Sequence, residues 1–156
     1  MIQIQNNYLH HDLLFHILKT LQDKKFNWGV DSWSTINLQH FLVQRKGEEI
    51  SLFMKSIIGD ILTHLKAEHV FESLITLYTN RSNLDEFNYT SPFLENKDYK
   101  TFLLFLNSCD GYTKIQGFKK IQSTENTAIL LDKPFPIIHS NTTNEKVRGV
   151  LTIYYT

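Results

Sequence analysis

Seven histidines and a single cysteine are the side chains in this sequence best able to bind a metal or carry a covalent step. Their spacing decides which of them could. His10-His11-Asp12 contains a literal His-x-Asp, a pair that can offer an imidazole and a carboxylate to one ion. It stands where a helix begins, however, and the ordinary reading of Asp12 is a helix cap. His16, His40, His64 and His69 fall at no recognisable metal-ligand spacing. Cys109 lies in the turn Asn107-Ser-Cys-Asp-Gly111, with no spaced histidine to serve as its base. Asp110-Gly111 reads as a turn signal before it reads as a site. His139 taken alone is a packing or surface histidine. Arg148 could pair with a carboxylate such as Glu145. No phosphate loop, dinucleotide fingerprint or nucleophile elbow is present.

These residues must be positioned by the elements around them. Ile2 and Ile4 alternate with glutamines, which predicts a short strand. Leu13, Leu14, Ile17, Leu18 and Leu21 are spaced for a helix capped by Asp12 and running to about Gln22. Phe26-Asn-Trp28 reads as an apolar turn, and Phe26, Trp28, Trp33 and Phe41 as packing residues. Residues 35–44 are ambiguous, with a strand as one reading. Ile50, Phe53, Met54, Ile57, Ile58, Ile61, Leu62 and Leu65 predict a helix over roughly 48–66, with Glu48 and Glu49 at its start and a solvated end at His64 and Lys66.

After residue 69 the period changes. Strands are expected at 69–79, 99–106, 112–116, 118–122, 127–132, 136–139 and 147–155, with loop at 80–86. Alternation along the last strand puts Arg148, Val150, Thr152 and Tyr154 on one face. Many short strands separated by turns indicate a barrel or sandwich, whose outer face a helical layer can cover.

The composition bounds the function classes. The 156 residues suit one domain: a helical N-terminal half, about 1–68, and a strand-rich core, about 69–156. Sixteen basic and sixteen acidic residues cancel, so no field of one sign exists to draw in nucleic acid or an anionic membrane. No signal peptide or membrane span is expected, and a cytoplasmic setting follows as an expectation. The sequons at Asn80, Asn88 and Asn141 are then read as accidents of an asparagine-rich chain.

Two stretches taken together carry more than any single motif. One is Tyr99-Lys-Thr-Phe-Leu-Leu-Phe-Leu-Asn107 followed by Asp110-Gly-Tyr-Thr113. The other is Glu125-Asn-Thr-Ala-Ile-Leu-Leu-Asp132, then Pro136-Ile-Ile-His139, then Thr142-Thr-Asn-Glu-Lys-Val-Arg148 and the strand to Tyr155. In order and spacing they resemble the 2-oxoglutarate/Fe(II) oxygenases, in particular the prolyl-hydroxylase-like proteins of phages and marine microbes. The resemblance covers about residues 70–156 well and the N-terminal half more loosely. It implies an α+β fold: a double-stranded β-helix, or jelly roll, with the N-terminal helices packed on one sheet.

The resemblance also implies a chemistry. Such enzymes hold Fe(II) with two histidines and a carboxylate on one side, leaving positions open for 2-oxoglutarate and oxygen. A basic residue about nine positions beyond the second histidine pairs with the distal carboxylate of 2-oxoglutarate, and a guanidinium fork suits that task. His139 matches the second histidine and Arg148, nine residues later, the basic residue, both expected to face the barrel interior. The first histidine and the carboxylate are missing. The segment that should carry them reads Phe87-Asn-Tyr-Thr-Ser-Pro92 and puts Tyr89 and Ser91 at the ligand positions. A phenol ordinarily binds Fe(III), and a serine hydroxyl is a poor ligand at neutral pH. Leu104 also stands where relatives often carry a tyrosine that helps hold 2-oxoglutarate. Asp85, Glu86, Glu95 and Asp98 flank the expected site as substitute carboxylates.

Three readings follow. The first is an oxygenase-like protein with a degenerate metal site, kept as a non-catalytic binding or structural module, with a protein partner or a place in a phage assembly. The second is an active hydroxylase of a peptide or small molecule, with Fe(II) and 2-oxoglutarate as cofactors and Tyr89 or a flanking carboxylate beside His139 on the metal. The third is a jelly roll of another class, such as a carbohydrate-binding or virion protein.

Overall fold

The computed structural model describes residues 1–22, 29–30, 37–44, 48–49, 52–88, 94–95 and 97–156; for 29–30, 37–44, 48–49 and 52–57 the backbone alone is described. Two antiparallel sheets and two helices make up the described part of the chain. The large sheet has the order β1 (Ile2–Gln5), β10 (Ala128–Leu131), β7 (Lys100–Phe105), β12 (Val147–Tyr155), β5 (Val70–Thr79), β3 (Asn37–Gln44), β2 (Gly29–Val30), with β4 (Glu48–Glu49) also paired to β3. The small sheet has the order β6 (Glu86–Asn88), β11 (Ile137–Ser140), β8 (Tyr112–Ile115), β9 (Lys120–Gln122). From β5 to β12 the chain passes repeatedly from one sheet to the other.

The period-2 pattern of β12 sorts two cores. Leu151, Ile153 and Tyr155 face the helices, where they meet Leu14 and Ile17 of α1 (His11–Leu21) and Ile58 and Ile61 of α2 (Leu52–Leu65). Val150 faces the other way, into a core between the sheets formed with Tyr78, Leu103 and Phe105 of the large sheet and Ile115, Ile121 and Ile137 in or beside the small one. β12 is the scaffold of the molecule: it pairs along its whole length with β5 and over six residues with β7. Burial of an apolar side chain of this size contributes about 1.5–3 kcal/mol, so both faces of β12 hold the layers together.

The helix ends differ from those expected. His10, not Asp12, is the cap of α1, its Nδ1 accepting from the Asp12 backbone N–H at 3.5 Å. Asp12 lies inside the first turn, where a carboxylate still meets the positive end of the helix. Residues 48–49 do not begin α2; they form β4 and pair with Val43 and Gln44. The backbone of β3 offers those residues ladder partners that a first helical turn would leave unmade. The ambiguous segment 35–44 contains β3, which lies beside β5 with a bulge between Phe41 and Val43. The expected turn at residues 26–28 lies outside the described residues. His64 and Lys66 are exposed, as the helix end predicted. No helix among the described residues is long and apolar enough to cross a membrane.

Candidate functional site

β11 and β12 belong to different sheets, and each aims one side chain at the space between them. On β11, His139 pairs in register with Phe87 of β6 and Thr113 of β8, and all three face inward. On β12, Arg148 pairs with Tyr78 of β5. The two expected site residues meet through Thr113. Arg148 Nη2 donates to Thr113 Oγ1 at 2.6 Å, and the same oxygen lies 2.9 Å from His139 Nδ1. Thr113 Oγ1 thus accepts from the guanidinium, and the imidazole, kept neutral by its burial, meets the same oxygen through Nδ1.

Arg148 is completely buried and, among the described residues, pairs with no carboxylate. Its Nη1 donates to the carbonyl oxygen of Ser140 at 3.0 Å. The faces of Tyr78 and Phe105 lie 5.5 and 5.2 Å from the guanidinium carbon, so two rings offset part of the lost hydration. Nε has no acceptor. Burial pushes the guanidinium down to about 10, against smaller opposing effects of Tyr78 and Cys109. His139 is held well below its ordinary value, first by burial and then by the positive charge of Arg148. Its ring lies 5.4 Å from that of Tyr78, which in turn lies 5.9 Å from Phe87.

The neighbours of this pair were only partly legible. Thr113 stands in the stretch Asp110-Gly-Tyr-Thr113, and alternation along β8 turns it inward, yet its bridging role depends on a contact between sheets. Gly111 makes room for the arginine: a β-carbon there would stand 2.5 Å from Arg148 Cδ and 2.4 Å from the carbonyl oxygen of Asn141. Leu104 corrects an expectation. It faces the helical core with Phe102, whereas Leu103 and Phe105 face the space between the sheets. Strand period places Leu104 away from Arg148, so it cannot stand in for a residue that holds a cosubstrate.

The metal side of the site is poorer. Tyr89 and Ser91 lie outside the described residues. Of the flanking carboxylates, Asp85 pairs with Arg81 at 2.5 Å. Glu86 lies on the outer face of β6, one residue from inward-facing Phe87, and accepts from Tyr112 Oη at 2.7 Å. Glu95 and Asp98 are exposed. His10, His11 and Asp12 are exposed at the start of α1. Among the described residues no three His, Cys, Asp or Glu side chains converge on a position for a metal ion. Among the described residues His139 is surrounded by two aromatics, a hydroxyl and a cation, with no second histidine or carboxylate beside it.

No family model matches the sequence, and no curated protein matches it. Solved structures do. An oxidoreductase of the 2OG-Fe(II) oxygenase family from Burkholderia pseudomallei aligns with a TM-score of 0.69 at 13% identity, covering 99% of this chain and 84% of that one. A Pseudomonas putida prolyl-4-hydroxylase aligns with a TM-score of 0.63 at 13% identity, covering 99% and 91%. HygX from Streptomyces hygroscopicus, solved with nickel and 2-oxoglutarate, aligns with a TM-score of 0.65 at 10% identity, covering 99% and 82%. The fold of this chain is therefore the fold of the 2-oxoglutarate/Fe(II) oxygenases, prolyl hydroxylases among them.

Proposed function

We propose that the chain is a double-stranded β-helix of the oxygenase type whose metal centre has degenerated, and that it serves as a non-catalytic binding or structural module. The alternation of β5 to β12 between the two sheets supports the β-helix. The observation that carries the functional reading is the closed network of His139, Thr113 and Arg148. Nδ1 of the imidazole is committed to a hydroxyl, the guanidinium to neutral acceptors, and no carboxylate of the described chain joins them. Such a scaffold is reused for many functions. Its partner in this reading is a protein, met in the cytoplasm or, for a phage-encoded chain, in the host cytoplasm or a virion.

One observation favours the rival reading of an active hydroxylase. Arg148 Nε is a buried N–H without an acceptor among the described residues, a group that a ligand carboxylate would satisfy. In that reading Tyr89 or a flanking carboxylate joins His139 on Fe(II), and Arg148 holds 2-oxoglutarate. Incubation with Fe(II), ascorbate and 2-oxoglutarate separates the two. The module is expected to release no succinate above background and to retain no iron after desalting. Steady succinate release that His139→Ala abolishes would overturn the degenerate reading in favour of the hydroxylase.

A further inference from the structure

The outer face of the small sheet carries a charge pattern that folding does not explain. The hairpin of β8 and β9, residues 112–122, contains Lys114, Lys119 and Lys120 and no acidic residue, in a chain whose net charge is zero. Lys114 and Lys120 are paired directly across the hairpin, and both are exposed. Like charges so placed repel one another and weaken a strand pair. Glu86 is the one carboxylate set against them among the described residues, and it accepts a bond from Tyr112. That bond and the two lysines hold Glu86 below the usual carboxylate range. Lys120 is parked over the Tyr112 ring, its Nζ 4.1 Å from the centroid, so the charge stays on this face.

The hairpin also ends on an aromatic. Gly117, at φ +77°, and the bond from the Phe118 N–H to the Ile115 carbonyl at 2.9 Å fix a tight turn that leaves Phe118 40% exposed. Among the described residues β9 pairs with β8 alone, so its other edge has backbone groups to offer. Lysines on such an edge discourage a second copy of the same chain, which would bring lysine against lysine. They admit a strand of opposite charge.

We propose that the β8–β9 hairpin is a docking edge for an acidic, extended segment of a partner protein, which adds to β9 as a further strand. Its carboxylates would meet Lys114, Lys119 and Lys120, and an apolar side chain would cover Phe118. Main-chain bonds to the edge give such a complex its affinity, and the charges its choice of partner. A phosphodiester backbone fits less well, because Glu86 stands among the lysines and no bases would find a row of aromatics. The edge lies outside the space that holds His139 and Arg148, so it stands whatever the metal site does.

The test is fluorescence anisotropy of the full chain with a fluorescein-labelled peptide of alternating glutamate and valine. A peptide of alternating glutamine and valine and a labelled oligothymidylate serve as comparisons. The acidic peptide is expected to bind, to weaken with added salt, and to lose on the order of tenfold in affinity in Lys114→Gln/Lys120→Gln. Phe118→Ala is expected to weaken it a few-fold. All three positions are exposed, so these variants keep the fold. Absence of binding, equal binding of the neutral peptide, or unchanged affinity in the double variant would overturn the proposal. Tighter binding of the oligothymidylate, lost in the double variant, would overturn it in favour of a nucleic-acid face.

Discussion

The stem of Arg148 runs over Gly111 so closely that no β-carbon fits between them. One of the two obstructing atoms is Arg148 Cδ, part of a completely buried side chain, and the other is the backbone oxygen of Asn141. Neither can yield cheaply. Gly111→Ala is expected to cost about 1–3 kcal/mol, the usual penalty of overpacking. Chemical denaturation reads it as a lower midpoint at unchanged slope. An unchanged midpoint would mean that the arginine does not occupy this seat.

Arg148 itself is expected to matter for stability more than any lysine of the chain's surface. Arg148→Ala removes a fully buried side chain and leaves the Ser140 carbonyl and the Thr113 hydroxyl without their donor. A loss of about 3 kcal/mol or more is expected, from the cavity and the unsatisfied groups together. Exposed Lys119→Gln should stay within about 0.5 kcal/mol of the parent. Equal midpoints for the two variants would remove the arginine from the core.

The difference between these positions tracks what a sequence can reveal. His139 and Arg148 were legible through the family resemblance, which carries their nine-residue separation, and alternation along the last strand put Arg148 on the face of Val150. Thr113 and Tyr78 join them only through contacts between strands far apart in sequence, which no local pattern encodes. Leu104 was matched through the resemblance to a position that helps hold 2-oxoglutarate, and the structure turns it towards the helices. Residues 101–106 are all buried, so the sequence of β7 shows no alternation from which to read inside and outside. Gly111 read as a turn residue, whereas the structure requires its missing side chain for the passage of another residue. At the N-terminus, His10 and Asp12 can both cap a helix, and only the backbone geometry chose between them.

Asn126 ties the start of the chain to the core and gives an independent test of the fold. At φ 60° it takes a conformation that asparagine tolerates better than most residues. Its side chain accepts from the Leu9 N–H at 2.8 Å and donates to the Leu9 carbonyl at 2.9 Å, and its own carbonyl accepts from the Tyr8 N–H at 3.0 Å. Asn126→Ala loses two buried bonds and keeps the unfavourable backbone, and is expected to cost about 2–4 kcal/mol. Asn126→Gly relieves the backbone and should recover part of that loss, on the order of 1 kcal/mol. Thermal or urea denaturation of the two variants side by side checks the order. If the alanine variant were as stable as the parent, the Leu9 contact would carry no weight.

The same buried network predicts how stability responds to acid. The groups around His139 are Thr113, Tyr78 and Phe87, all uncharged, and the cation Arg148; no carboxylate faces it among the described residues. Its folded-state value is depressed, so the unfolded chain accepts a proton that the folded chain refuses. Stability is therefore full above the ordinary histidine value, near 6.5, and falls as the pH drops below it, by at most about 1.4 kcal/mol per pH unit for one proton. Asp110 acts in a different window. Although burial pushes it up, bonds from Thr143 and Thr142 hold it down at about 2, so its contribution is lost only as the pH falls from the ordinary aspartate range towards 2. Urea denaturation at several pH values between 7.5 and 4.5 isolates the histidine. His139→Gln can keep a polar atom near Thr113 without a titrating ring, and its stability should be markedly flatter over that range. A parent and variant that lose stability in parallel would show that His139 takes up its proton inside the fold without cost, and the cation beside it would have to lie elsewhere.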